Sequence, residues 1–175
     1  MKMKGFSFIE ITVVVGIIGI ILVASFPSIL NVLETRSLEG TARDLLTTLE
    51  TARYTAVNEK VPCRVRFFQE NNEWRYLVEI QVREVGQTTV SWTTARKFLK
   101  RSLPPKYNPQ LLLPPDQTIV FSPLGMIANY DFTSPQSHRI TLQSQKLKNY
   151  GKEDLRIVSV YAGGSIAYIK AKSQG

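Results

Sequence analysis

From Phe6 to Leu33 the chain is apolar on every side of any helix drawn through it, with Glu10 as its single charge. Beyond that point the apolar residues narrow to a stripe. Leu38, Ala42, Leu45, Leu46, Leu49, Ala52 and Ala56 recur at three- and four-residue steps with Arg53 in the same register, while Glu39, Arg43, Asp44, Glu50 and Tyr54 fall on other faces. This period predicts an amphipathic helix. Helix propensity fades at Val57-Asn58, and Val61-Pro62 ends the element. A continuous helix from Phe6 to about Asn58 would be roughly 80 Å long. Its first half exceeds the ~20 residues that span a bilayer and should insert as a helix, because lipid offers backbone groups no other partner. Its second half must pack on something.

The rest of the chain carries the two-residue period of strands. Cys63, Val65 and Phe67 alternate with Arg64 and Arg66; Glu70-Asn71-Asn72-Glu73 is a turn signal; Trp74, Tyr76, Val78, Ile80 and Val82 alternate again. Together they predict a hairpin. Thr88–Phe98 is β-prone and less regular. Leu103–Pro115 holds five prolines in 13 residues and reads as an irregular excursion. Ile119–Phe121, Arg139–Leu142, Leu155–Tyr161 and Ser165–Ala171 complete the strands, the last two joined through Ala162-Gly163-Gly164. The expected class is α+β, with a largely antiparallel sheet on the C-terminal half of the long helix.

Composition narrows the chemistry. With 43% hydrophobic residues and 10% aromatics the chain can bury a core. Cys63 is the only cysteine, which removes intramolecular disulfides, and it reads as a small buried hydrophobe. His138 is the only histidine and reads as structural. There is no phosphate-binding glycine loop, nucleophile elbow or paired His/carboxylate set, and Glu153-Asp154 reads as loop charge. No enzyme, cofactor or metal is expected.

The N-terminus is the informative segment. Lys2 and Lys4 precede the apolar run and keep residues 1–5 in the cytoplasm by the positive-inside rule. A secretory signal cleaved near Val23-Ala24-Ser25, or a plain signal anchor, would share that layout. Glu10 distinguishes a further reading. A carboxylate inside a membrane helix costs up to about 2.5–3.5 kcal/mol and marks a functional site. Cleavage after Gly5 would supply its counter-charge, the α-amine of Phe6 one helical turn away or that of a neighbouring subunit.

Gly5-Phe6-Ser7-Phe8-Ile9-Glu10 resembles the cleavage and methylation motif of type IV pilins and type II secretion pseudopilins. The resemblance implies that a prepilin peptidase cuts after Gly5 and methylates Phe6, and that Glu10 directs filament assembly. Pro27 falls where pilins carry a kinking proline, and Gly16 and Gly19 occupy a stretch that loosens in filaments. The segments Ile119–Gly125 and Arg156–Gly164 are similar to those of the minor pilins and pseudopilins of the GspH/FimT group. The implied organisation is a leader over 1–5, a transmembrane and assembly helix over 6–27, an amphipathic helix over 28–58 and a β-rich head over 61–175. The implied place is the bacterial inner membrane, single-pass with the head extracytoplasmic, and then a filament of other pilin or pseudopilin subunits.

Losing Lys2 and Lys4 with the leader would leave 20 basic against 14 acidic residues. Some members of this group bind DNA through glycine-arginine-any-arginine in the last hairpin; here Gly164-Ser165-Ile166-Ala167 lacks both arginines. A substitute basic cluster exists in Arg96, Lys97, Lys100, Arg101 and Lys106, interleaved with Phe98 and Tyr107. Such residues can hold phosphates and stack bases, or form a solvated face. A structural or tip-initiating subunit, with DNA uptake as the alternative, is the expected function.

Overall fold

The computed structural model describes residues 7–83, 90–95, 98–134 and 137–173, the side chains of 24–27 and 83 excepted. Helix α1 runs Phe8–Glu59, 52 residues without a break. Ser7 precedes it in extended conformation, and Lys60 closes it in the left-handed region at φ 55°. Leu38, Ala42, Leu45, Leu49, Ala52 and Ala56 are completely buried along one stripe, as the period predicts. Fully burying each leucine contributes about 1.5–3 kcal/mol.

Strands β1 (Cys63–Glu70) and β2 (Glu73–Arg83) form the expected hairpin. Asn71 and Asn72 both take positive φ, 52° and 61°, the requirement of a two-residue turn whose twist matches its strands. Cys63, Val65 and Phe67 lie opposite Ile80, Val78 and Tyr76 and put their apolar faces inward. Strand β3 (Val90–Thr94) and strand β4 (Arg101–Leu103) share the free edge of β2. A single turn of 3₁₀ helix (Pro105–Tyr107) leads to β5 (Gln110–Leu112), followed by β6 (Thr118–Phe121), β7 (Arg139–Gln143), helix α2 (Gln145–Asn149), β8 (Leu155–Val160) and β9 (Ile166–Ala171).

The strands make two antiparallel sheets and not the one expected. One has the order β3-β2-β1-β6 with β4 beside β2; the other has the order β5-β7-β8-β9. The proline-rich excursion is also more regular than its composition indicated. It contains β5, which pairs with β7, and it buries Leu103 and Tyr107 completely. Its prolines fall between the paired segments, where no ladder N–H is needed. Both sheets pack on the same stripe of α1, so Val65, Phe67, Ile119 and Phe121 of one share a core with Ile140, Leu142, Val158 and Val160 of the other.

The sheets are joined at one close backbone contact. Ile127 bridges to Phe121, and its N–H donates to the Ala162 carbonyl at 3.0 Å. Beside it, Gly125 (φ 77°) and Gly164 (φ 79°) meet so closely that a Cβ on Gly164 would lie 1.8 Å from the Gly125 oxygen. That same oxygen accepts a hydrogen bond from Arg53 Nε of α1 at 3.0 Å.

Gly164→Ala should therefore destabilise the protein by about 2–4 kcal/mol, through its positive φ and the backbone clash. Gly163→Ala faces open space and should change stability by no more than about 0.5 kcal/mol. Thermal unfolding of the two variants side by side checks this, and equal effects would contradict it.

Candidate functional site

From Phe8 to Val23 the described side chains of α1 are exposed, Phe8 at 86%. The helix is long and apolar enough to cross a membrane by length and composition. The Thr12 hydroxyl donates to the Phe8 carbonyl at 3.0 Å, which satisfies it within the helix. Glu10 lies in the first turn of α1. Its backbone N–H donates to Ser7 at 3.0 Å. Among the described residues, no cation is paired with its exposed carboxylate. Gly5 and Phe6 lie outside the described residues.

Among the described residues, nothing beyond the adjoining helix backbone comes within 4 Å of the Cβ positions of Gly16 and Gly19. Each weakens helix preference by about 1 kcal/mol relative to alanine without any packing here that requires it. Pro27 lies within α1 and has no N–H to donate to the carbonyl four residues earlier, yet the helix continues past it.

The second half is held to the head by its buried stripe and by polar contacts beside it. The Ser144 hydroxyl donates to Glu34 at 3.0 Å. The Tyr107 hydroxyl donates to Ser37 at 2.7 Å. Lys170 Nζ lies 3.0 Å from Glu39, which also pairs with Arg43 at 2.7 Å. Arg101 lies 3.3 Å from Asp44. Hydrogen bonds from Arg43 and then Lys170 hold the Glu39 carboxyl below the usual range. Exposed ion pairs of this kind are worth little individually, so they fix orientation while the stripe supplies the attachment.

The basic cluster is divided. Lys100 pairs with Glu70 and lies over the Phe68 ring at 5.2 Å. Arg101 pairs with Asp44, and Lys106 lies 3.9 Å from Glu34. Tyr107 is completely buried and Phe98 packs against the core, so these two aromatics face inward. Arg96 and Lys97 lie outside the described residues.

Cys63 and His138 take the roles expected of them. Burial, then the charge of Glu59, pushes the Cys63 thiol up to about 12, leaving no thiolate at neutral pH. His138 is buried and stacked on Tyr130 with ring centroids 5.2 Å apart. Burial lowers its pKa against the raising charges of Asp116 and Asp131. Among the described residues, no group of three or more His, Cys, Asp or Glu side chains is placed to hold a metal ion.

Two charged residues at the start of the last hairpin are buried, and one of them, Asp154, was misjudged from sequence. Asp154 is not a loop charge: it is completely buried. It accepts hydrogen bonds from Gln143 Nε2 at 2.8 Å, the Ser173 N–H at 2.8 Å and the Ser173 hydroxyl at 2.9 Å. Arg156, at the head of β8, is also buried and donates to the Glu153 and Leu155 carbonyls at 3.2 and 2.8 Å. Neither pattern differs in sequence from solvated charge; the one signal was the strand alternation that points Arg156 inward with Val158 and Val160.

A family model described as Type II transport protein GspH matches residues 41–164, from the second half of α1 to the turn glycine that contacts Gly125. Among solved structures, the type IV minor pilin FimU of Pseudomonas aeruginosa (strain PAO1) is similar, with 17% sequence identity and a TM-score of 0.43. That similarity covers 75% of this chain and 91% of that one. No curated protein matches the chain.

The Asp154 site has a pH signature. Burial raises its pKa, but the hydrogen bonds from Gln143 and Ser173 outweigh that and hold it below the ordinary 3.8. Its stabilisation is therefore complete above that value and is lost as pH falls through the folded one. Asp154→Asn turns an amide N–H₂ toward donors and should cost about 1–3 kcal/mol at neutral pH. Melts at neutral and acid pH should show the variant losing less on acidification than the parent; parallel losses would contradict this.

Proposed function

This chain belongs to the family of the Type II transport protein GspH, and from that premise we propose that it is a minor pilin or pseudopilin: a non-enzymatic, structural or tip-initiating subunit of a type IV filament. It enters the bacterial inner membrane through the first half of α1, with the head outside the cytoplasm. A prepilin peptidase hydrolyses the Gly5–Phe6 bond, leaving a carboxylate on Gly5 and an amine on Phe6. The amine then takes a methyl group from a sulfonium-type donor, which leaves as a thioether while the nitrogen gives up a proton. The amine, on this chain or on a neighbouring subunit, meets Glu10.

One observation carries this reading. Half of a single helix is exposed and apolar with one carboxylate unpartnered among the described residues, while the other half is built into the head. A helix so divided is fitted to pass from lipid into a bundle of identical or related helices without remodelling the head. Bringing an ammonium to Glu10 in that apolar setting removes the cost of the lone charge and fixes how far one subunit stands from the next along the axis. Weakened helix preference at Gly16, Gly19 and Pro27 would let that segment adjust during the transfer. The alternative, a nucleic-acid receptor, has weaker support, since Lys100, Arg101 and Lys106 each face a carboxylate of their own chain.

Glu10→Ala should leave the amount of chain in the membrane unchanged and reduce its incorporation into filaments by about tenfold or more, the equivalent of ~1.4 kcal/mol. Quantifying the chain in membrane and sheared-filament fractions makes the comparison. Normal incorporation would sink the pairing of Glu10 with an N-terminal amine.

A further inference from the structure

A bilayer span of about 20 residues counted from Phe8 ends near Pro27. The next residues of α1 rise into the headgroup layer, about 5–8 Å deep. There the head comes down to meet them. A groove runs between Ser28, Asn31, Thr35 and Arg36 on α1 and Tyr150 and Lys152 beyond α2. The Ser144–Glu34 hydrogen bond fixes the start of α2 about 10 Å beyond Pro27 along the helix, just above that layer and within reach of it for long side chains.

This end of the head is basic. Lys146 and Lys148 flank the buried Leu147 of α2 and are exposed, as are Lys152 and Arg36. Lys172 is exposed too, and its Nζ would lie 3.7 Å from a Cβ on Gly151. None of these five forms an ion pair with a described residue. The nearby carboxylates are mostly committed. Glu34 is engaged by Ser144 and Lys106, and Asp154 is buried under Gln143 and Ser173. That leaves Glu153 exposed among them. Tyr150 is 54% exposed beside the cations, and an aromatic ring with a polar tip is suited to the boundary between lipid and water.

We propose that this collar, Arg36, Lys146, Lys148, Tyr150, Lys152 and Lys172, binds the phosphate headgroups of anionic phospholipids in the leaflet where α1 emerges. The inference rests on the membrane anchoring proposed above. Charge, the aromatic and the position beside the span all favour lipid over a soluble anion. Docking would hold the head upright on the membrane surface, and each cation close to an anionic surface strengthens it about fivefold. Release from lipid on entry into a filament would then expose the collar.

The test places the full chain in vesicles, either zwitterionic or containing phosphatidylglycerol, and follows hydrogen exchange of the Ser144–Lys152 peptide. Flotation at alkaline pH reports insertion separately. Exchange should slow by about fivefold or more in the anionic vesicles at low salt. High salt, or the combined substitutions K146Q, K148Q and K152Q on the exposed face, should abolish that protection without changing flotation. A chain that floats with both vesicles but exchanges equally in them overturns the collar and leaves anchoring intact. A chain that floats with neither overturns both. Protection by a DNA oligonucleotide on zwitterionic vesicles, with none from anionic lipid, overturns the lipid assignment in favour of nucleic acid.

Discussion

The packing of Leu38, Leu45 and Leu49, spaced by Ala42, Ala52 and Ala56, against two sheets at once makes one body of the head and the helix. Alanines intersperse the leucines along the stripe, which lets strands of both sheets approach the helix closely. Removing one of the leucines would cost about 2–5 kcal/mol, more than the exposed ion pairs beside the stripe provide. Gly125 and Gly164 close the remaining gap between the sheets, where a side chain has no room.

Because the second half of α1 is fixed, the first half projects. In water its exposed isoleucines, valines and leucines would associate with one another or with lipid. A continuous helix connects the two environments and holds the head at a defined height above the span. Glu10 lies near the far end of that apolar length, where an unpaired carboxylate costs less than at the bilayer centre but still favours a cationic partner. In this arrangement the head sets what a subunit presents, and the helix sets where it stands.

Much of this was legible in the residues. The change from all-round apolarity to a 3.6-residue stripe located both halves of α1 and placed its end at about Asn58, one residue short of the observed Glu59. The hairpin was legible from its alternation and its two asparagines. What escaped was information that alternation does not carry. Membership of one sheet or two depends on which edges pair, and Arg139–Leu142 has the same pattern in either. Strands β4 and β5 are three residues each among prolines, too short for a period to register. Helix α2 offers one buried residue, Leu147, for five positions. Asp154 looked like a loop charge because the donors that permit its burial, Gln143 and Ser173, are far from it in sequence. At the N-terminus the reading of Gly5, Phe6 and Glu10 came from a motif and from the cost of a charge in lipid, and the family match begins at residue 41, downstream of all three.

The most direct test of the account is the intact mass and N-terminal sequence of this chain recovered from membranes after co-expression with a prepilin peptidase. The account predicts a chain that begins at Phe6 and carries an added methyl group on its amine. A chain beginning at Met1 would leave Glu10 without a nearby N-terminal charge, and one beginning at Phe26 after signal cleavage would have lost Glu10 altogether; either would contradict the proposed pairing.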